Sequence, residues 1–318
     1  MAIRSSIAAP GVRELPPGSG TQLHIEEGPA ELFQQALEGL ARPDAAAIYE
    51  DLPLAGGSYI RWQQDFDFLL QPRSRTIWWR RINREVSDQA LRSFTFGHVF
   101  SRLLAVLGVE TLHGTAVAVD DAALAFVGNC GYGKSTLGWW LLRSGLPLMT
   151  DDVLVIRQQG RMPMAYPGLP QIKLLAEAAA PLFEPAAGVP MFSGSAKLIF
   201  PLSGSGGGGV IDPAGAALGA HYYGKSAPLR AIYLLAAPDE SQDDISIEVV
   251  RGSAAFLSLI ENIFIDSVVD AARQKRLFTL LDRLCGQIPV KRLSYPRRHE
   301  VMPEVVARIV ADAREQRQ

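Results

Sequence analysis

Cysteine is nearly absent from this chain. Cys130 and Cys285 are the only two in 318 residues, which leaves neither a disulfide framework nor a four-ligand zinc site and makes free thiols the simpler reading. Long apolar runs are missing too: no window reaches the length needed to cross a bilayer, and the opening stretch MAIRSSIAAPGVRELPPGSG lacks the uninterrupted apolar core of a secretory signal. These absences lead to the expectation of a cytoplasmic protein with no membrane partner. Nor does one sign of charge dominate. The 31 basic and 33 acidic residues sum to −2, so no long-range field recruits nucleic acid or anionic lipid.

What is present is a chain of 48% hydrophobic content, long and apolar enough for one large domain or one with a smaller module. Residues 1–22 are rich in Pro, Gly and Ser without periodicity and are expected to form a mobile lead-in. Residues 23–108 read as a small α+β module. Apolar runs at 60–70 and 76–82 look like strands, followed by a helix that Ser87 or Asp88 can cap and Gly108 can end. Residues 109–318 carry the chemistry. Within them a buried strand is expected over 229–236, helices over 253–264 and 268–285 with Gly286 as a stop, and a closing helix over 301–314. The run SGSGGGG at 203–209 is expected to be disordered, because each glycine has unusual conformational freedom to lose.

Residues 128–135 read Gly-Asn-Cys-Gly-Tyr-Gly-Lys-Ser, a match to G-x-x-x-x-G-K-[ST] that follows an apolar strand (122–127) and opens a helix (135–143), as a phosphate-binding loop requires. The alternative is a chance glycine-rich turn. On the functional reading, Gly128, Gly131 and Gly133 let backbone N–H groups turn inward on phosphates, with Asn129, Cys130, Tyr132 and Thr136 completing the cradle. Lys134 supplies a full charge to the β- and γ-phosphates of ATP, and the Ser135 hydroxyl is a ligand for Mg²⁺.

One helix further on, a short apolar stretch ends in Asp151 and Asp152. A pair of carboxylates at a strand end suits phosphoryl transfer to an alcohol: one holds the metal and the other accepts the hydroxyl proton. A solvated Asp-Asp turn is the alternative. His113, in Leu-His-Gly-Thr, lies on a strand that can run beside the loop strand; alone, such a histidine more often satisfies a local hydrogen bond than performs chemistry.

Taken together, Leu112-His113-Gly114, the loop 128–136 and the string Gly-Leu-Pro-Leu-Met-Thr-Asp-Asp at 145–152 resemble the nucleotide site of HPr kinase/phosphorylase. More closely, the chain resembles shorter HPr-kinase-related proteins, some of which lie in peptide-modifying clusters such as those for lasso peptides. Stretches at 166–174, 195–197 and 228–235 extend the resemblance over about residues 90–310. It implies an α/β P-loop kinase domain of the HPr kinase and phosphoenolpyruvate carboxykinase type, with a mixed sheet, over 109–318. It also implies transfer of the γ-phosphate of ATP to a serine hydroxyl of a peptide or protein. By carry-over, His113 orients the catalytic aspartate, while Asp151 and Asp152 divide metal binding and base duty in an order the resemblance leaves open. The bifunctional branch assembles as oligomers, which leaves self-association open here. No counterpart of its glycine- and arginine-rich segment follows the aspartates, so the resemblance does not extend to phosphorylase activity or to HPr as substrate.

Charge growing on the transferred group calls for further cations. Lys197, and after it Lys173, are candidates, each with a plain surface lysine as the alternative. Arg73, Arg75, Arg80, Arg81 and Arg84 surround Trp78 and Trp79, a mixture that could stack bases, but alternation through 76–82 fits a strand with one buried face better. A basic group at Lys291, Arg292, Arg297, Arg298 and His299 could receive an acidic peptide or be plain surface. Two other functions stay open: a nucleotide-dependent switch or ATPase without a phosphorylated product, and a kinase of a small hydroxylated metabolite.

Overall fold

Runs of β-branched and aromatic residues build the first sheet. Strands β1 (Ala2–Ser5), β2 (Gln22–Glu27), β3 (Tyr49–Leu54), β4 (Gly57–Trp62), β5 (Phe66–Gln71) and β6 (Thr76–Arg81) lie in the order β1-β2-β6-β5-β4-β3. β3 to β6 form an antiparallel meander, whereas β1, β2 and β6 run parallel. Side chains alternate across the sheet. Tyr59 and Leu69 pack under Phe33 of helix α1 (Ala30–Ala36) on one face. Ile60, Phe68 and Leu70 pack on the other against the segment formed by α2 (Asp88–Phe94), a π-helical turn at Thr95–Val99 and α3 (Phe100–Val106). Ser87 caps α2, its side chain accepting from Ala90 N. Gly108, at φ 82, follows α3 in the left-handed region that favours glycine.

The structure is a computed structural model that describes residues 2–8, 22–39, 47–180, 188–202, 222–264 and 270–315. Composition predicts a structureless lead-in over 1–22, and residues 2–8 depart from it. Ile7 is buried, Ser6 N donates to Ile25 O at 2.8 Å, and Trp79 Nε1 donates to Ser6 Oγ at 3.0 Å, which together tie this segment to the sheet. Residues 9–21 and the glycine run at 203–209 lie outside the described residues.

The rest of the chain forms a mixed α/β body. Its strands are β7 (Thr111–Val119), β8 (Ala122–Val127), β9 (Leu148–Thr150), β10 (Val153–Gln159), β11 (Met162–Tyr166), β12 (Gln171–Leu175), β13 (Val189–Pro190), β14 (Lys197–Pro201), β15 (Ala227–Leu235), β16 (Ser246–Val250) and β17 (Val290–Ser294). Its helices are α4 (Lys134–Arg143), α5 (Ala176–Ala179), α6 (Gly252–Ile260), α7 (Ala271–Gln287) and α8 (Met302–Glu315). The main sheet has the order β11-β10-β7-β8-β15-β17-β16 with β9 beside β7, and it curls far enough for β11 to touch β15 as well. β7 and β8 are joined by a two-residue turn in which Asp120 (φ 50) and Asp121 (φ 57) are both left-handed, the twist that antiparallel hairpins prefer. Helices α4 and α8 cover one face through Leu137, Trp139, Val305 and Ile309; α6 and α7 cover the other through Leu259, Leu281 and Leu284. A three-stranded sheet, β12-β14-β13, packs against α4 through Ile172 and Leu174.

Two helix ends differ from the sequence expectation. α6 closes at Ile260, short of residue 264, because Phe264 N is taken by Thr111 O at the start of β7. Gly286 does not stop α7, which continues to Gln287; a glycine weakens a last turn without ending it when Ile288 N still bonds back to Leu284 O at 3.0 Å. Among the described residues no helix is long and apolar enough to cross a membrane.

Candidate active site

Strand β8 delivers the chain to its carboxyl end at Val127, and α4 begins at Lys134 with the glycine loop between them. Gly131 and Gly133 both stand at φ 84, a region that costs an L residue strain and a glycine none. No side chain caps the start of α4, so its first N–H groups and positive dipole end face the loop. Lys134 is buried, its Nζ donating to Gly128 O at 2.6 Å and Asn129 O at 3.1 Å. Burial lowers its pKa, a cost that an incoming polyanion would relieve. Asn129 and Cys130 are exposed, while Tyr132, Ser135 and Thr136 are half-buried. A cavity of about 720 Å³ opens beside the loop, between Tyr132 and the chain leaving β15 at Ala236 to Glu240.

The two aspartates stand in different environments. Asp151 directly follows the short strand β9 and is buried. Its Oδ1 accepts from Thr115 Oγ1 at 2.6 Å and from Ser135 Oγ at 2.9 Å, and its Oδ2 accepts from Lys173 N at 2.8 Å. Burial dominates and raises its pKa, opposed by Lys197 and these hydrogen bonds. Asp152 sits at φ 90, a strained position for a residue with a Cβ. Lys173 Nζ lies 2.7 Å from Asp152 Oδ2, and His113 Nε2 lies 3.4 Å from Oδ1. Burial works against ionisation of Asp152, but Lys173 and Lys197 outweigh it and hold the carboxyl well below the usual range. Burial also pushes His113 down to about 4, so the imidazole facing Asp152 is neutral at neutral pH.

The structure thus brings Lys134, Ser135, Asp151, Asp152 and His113 into one site, and Lys197 at the start of β14 acts on it by charge. A sequence reading ranks one contributor too low and passes over two neighbours of the site. Lys173, named there only after Lys197, makes the direct ion pair, because β12 crosses beside α4. Thr115 was not named, although it lies two residues from His113 on β7 and therefore on the same face. His98 comes from the π-helical turn of the N-terminal module; burial pushes it to about 4, and among the described residues its Nε2 has no hydrogen-bond partner.

The other basic clusters are partly consumed by structure. Arg80 pairs with Asp67 and Arg81 with Asp88, while Trp79 is buried. Lys291 is buried and bonded to Asp312 at 2.6 Å, and Arg297 donates to Ala236 O at 2.7 Å while stacking on Tyr295. Residues 291–299 therefore do not form one exposed patch.

Ser135 Oγ and Asp151 Oδ1 are hard oxygen donors of the kind Mg²⁺ takes, and the hydrogen bond between them holds them at a compatible spacing. Adjacent ligands of octahedral Mg²⁺ stand about 3 Å apart when each Mg–O bond is about 2.1 Å, and these oxygens are 2.9 Å apart. Among the described residues no group of three or more His, Cys, Asp or Glu side chains could hold a metal, and Mg²⁺ ordinarily completes its shell with water and phosphate oxygens rather than with an all-protein cage.

No family model matches the chain, and no curated protein matches it. Among solved structures it is similar to the HPr(Ser) kinase/phosphatase from Coxiella burnetii, with 12% identity, 65% of this chain and 99% of that chain covered, and a TM-score of 0.33.

Proposed function

We propose that this protein is an ATP-dependent kinase that transfers the γ-phosphate to a hydroxyl, that of a serine on a peptide or protein. The observation that carries the reading is that the two aspartates have different partners. Asp151 is hydrogen-bonded to the loop serine, and Asp152 lies against Lys173 and His113.

In this scheme the glycine loop and Lys134 hold the triphosphate, and the large cavity beside Tyr132 takes the nucleoside. Ser135 and Asp151 would hold Mg²⁺, which when bound neutralises charge on the β- and γ-phosphate oxygens. Asp152 accepts the hydrogen bond of the acceptor hydroxyl. As the hydroxyl oxygen bonds to the γ-phosphorus, the bond to the β–γ bridging oxygen breaks, ADP leaves, and the hydroxyl proton passes to Asp152. A carboxylate held this acidic is a weak base, which suits a loose transition state whose barrier responds more to position and charge than to proton removal. His113, neutral, fixes the Asp152 carboxylate, and Lys173 and Lys197 supply positive charge beside it.

Incubation with labelled ATP, Mg²⁺ and serine peptides tests the proposal. Lys134→Ala should abolish nucleotide binding. Asp152→Asn should leave ATP affinity within about threefold and cut transfer by about 10²-fold, through lost charge and positioning at the acceptor hydroxyl as well as the lost proton acceptor. Asp151→Asn should weaken the Mg²⁺ dependence of binding as well. Release of ADP and phosphate with no phosphorylated product would overturn the kinase reading in favour of an ATPase or switch.

A further inference from the structure

A second cavity, of about 150 Å³, lies against the paired aspartates. Phe96 and Phe100 of the N-terminal module form one wall, Val153 and Val155 of β10 another, and Leu169 closes the side. All five are half-buried, so apolar surface meets solvent next to the Asp152–Lys173 pair. The floor is polar, with Asp151, Asp152 and Lys173.

Strand register places this cavity on the reacting side of the sheet. Val153 and Val155 stand opposite His113 and Thr111 in the antiparallel β7–β10 ladder, and cross-strand partners project to one face. Thr115 shares that face with His113, holds Asp151, and meets α4 at Gly138. The loop, the aspartates and the cavity therefore lie on the same side. β10 carries them apart along the sheet: Val127 at the end of β8 is level with Gly114, whereas Val155 is level with Thr111, past His113. The cavity thus sits beyond the phosphate loop, on the Asp152 side, where an acceptor must approach. Apolar pockets with a few converging polar groups of shifted pKa are the usual form of a ligand site.

We propose that this cavity is an acceptor subsite, filled by an aliphatic or aromatic side chain adjacent to the hydroxyl that is phosphorylated. The inference rests on the kinase reading and adds the substrate class: peptides with Leu, Ile, Met or Phe beside the serine. The charges on the floor, Asp152 and Lys173, are already paired with each other at 2.7 Å, so a charged side chain placed between the apolar walls is buried at a cost. A hydroxyl compound without an apolar neighbour would leave the walls wet. The N-terminal module, through Phe96 and Phe100, thereby takes part in choosing the substrate.

The test is calorimetric titration of the full chain, with Mg²⁺ and a non-hydrolysable ATP analogue, using Ac-Gly-Xaa-Ser-Xaa-Gly-NH₂ peptides in which Xaa is Leu, Ala, Asp or Trp. The Leu peptide should bind about tenfold or more tighter than the Ala peptide, the scale of burying one such side chain, and the Asp peptide weakest. Val155→Glu should reduce the Leu peptide to the level of Ala, and Phe100→Ala should move the preference toward Trp, with nucleotide affinity unchanged in both. Equal affinity across the panel, no binding at millimolar peptide, or a Leu preference that survives both variants would overturn the subsite. Phosphate transfer is read separately. A Leu peptide that binds with this pattern and is never phosphorylated overturns the kinase reading while the subsite stands, and transfer to all peptides alike does the reverse.

Discussion

Lys173 shows what one residue's position decides. Its side chain is 3% exposed and its ammonium is 2.7 Å from Asp152, itself 13% exposed, so the pair is buried and neither partner is dispensable. Removing one member of such a pair leaves an uncompensated charge at a cost of about 3–5 kcal/mol. In Lys173→Met, burial of Asp152 loses its main counterweight and the carboxyl pKa rises. The transfer rate of the variant should then fall as pH drops through the new pKa, while the wild type, whose Asp152 stays ionised, lacks this fall. A kcat profile over pH 4.5 to 8 checks this; a variant profile like the wild type's would show that Lys173 does not control Asp152. The glycine loop between β8 and α4 was legible in the sequence because its residues are contiguous and its flanks announce strand and helix. The Lys173 pair was not, because it joins positions on different elements.

At the scale of elements, the contact between α4 and β7 fixes the site. A Cβ on Gly138 would lie 2.6 Å from Thr115 Cγ2, closer than real contacts allow, and Thr115 is fully buried with its hydroxyl on Asp151. Gly138→Ala should therefore push α4 away from the sheet, costing about 1–3 kcal/mol as overpacking does. It should also reduce metal-dependent nucleotide binding, because Thr115 and Ser135 hold Asp151 from the two displaced elements. Thermal melts with and without Mg²⁺–ATP would show a smaller ligand-induced shift than in the wild type. Helix starts were readable where a local device marks them, as Ser87 does for α2. The π-helical turn at Thr95–Val99 was not, since its residues continue the apolar spacing of an ordinary helix. The parallel pairing of β1 with β2 was hidden for a different reason: no turn signal specifies a partner reached across a long connection.

Across the whole molecule, the N-terminal module and the α/β body share a seam beside the site. Ser193 donates to Asp65 through N at 2.9 Å and Oγ at 2.7 Å, Gln89 Nε2 donates to Gln171 Oε1 at 2.8 Å, and Gln171 Nε2 donates to Ser93 Oγ at 3.0 Å. His98 from the module and His113 from the body both pack on Phe264. Burial lowers each histidine to about 4 from an unfolded value near 6.5, so the folded protein binds fewer protons than the unfolded chain between those values. Stability is therefore fully present above pH 6.5 and declines as pH falls toward 4. Asp152, also depressed, adds a further loss at still lower pH. Denaturant melts should show the midpoint falling across the 6.5 to 4 window, and His98→Phe should flatten that fall because an apolar ring has nothing to protonate among Tyr49, Trp62 and Phe264. If the slope is unchanged in His98→Phe, the seam is not where the acid sensitivity lies. If it flattens while the Leu-peptide affinity of the acceptor cavity is kept, the seam carries stability independently of the subsite that Phe96 and Phe100 build beside it.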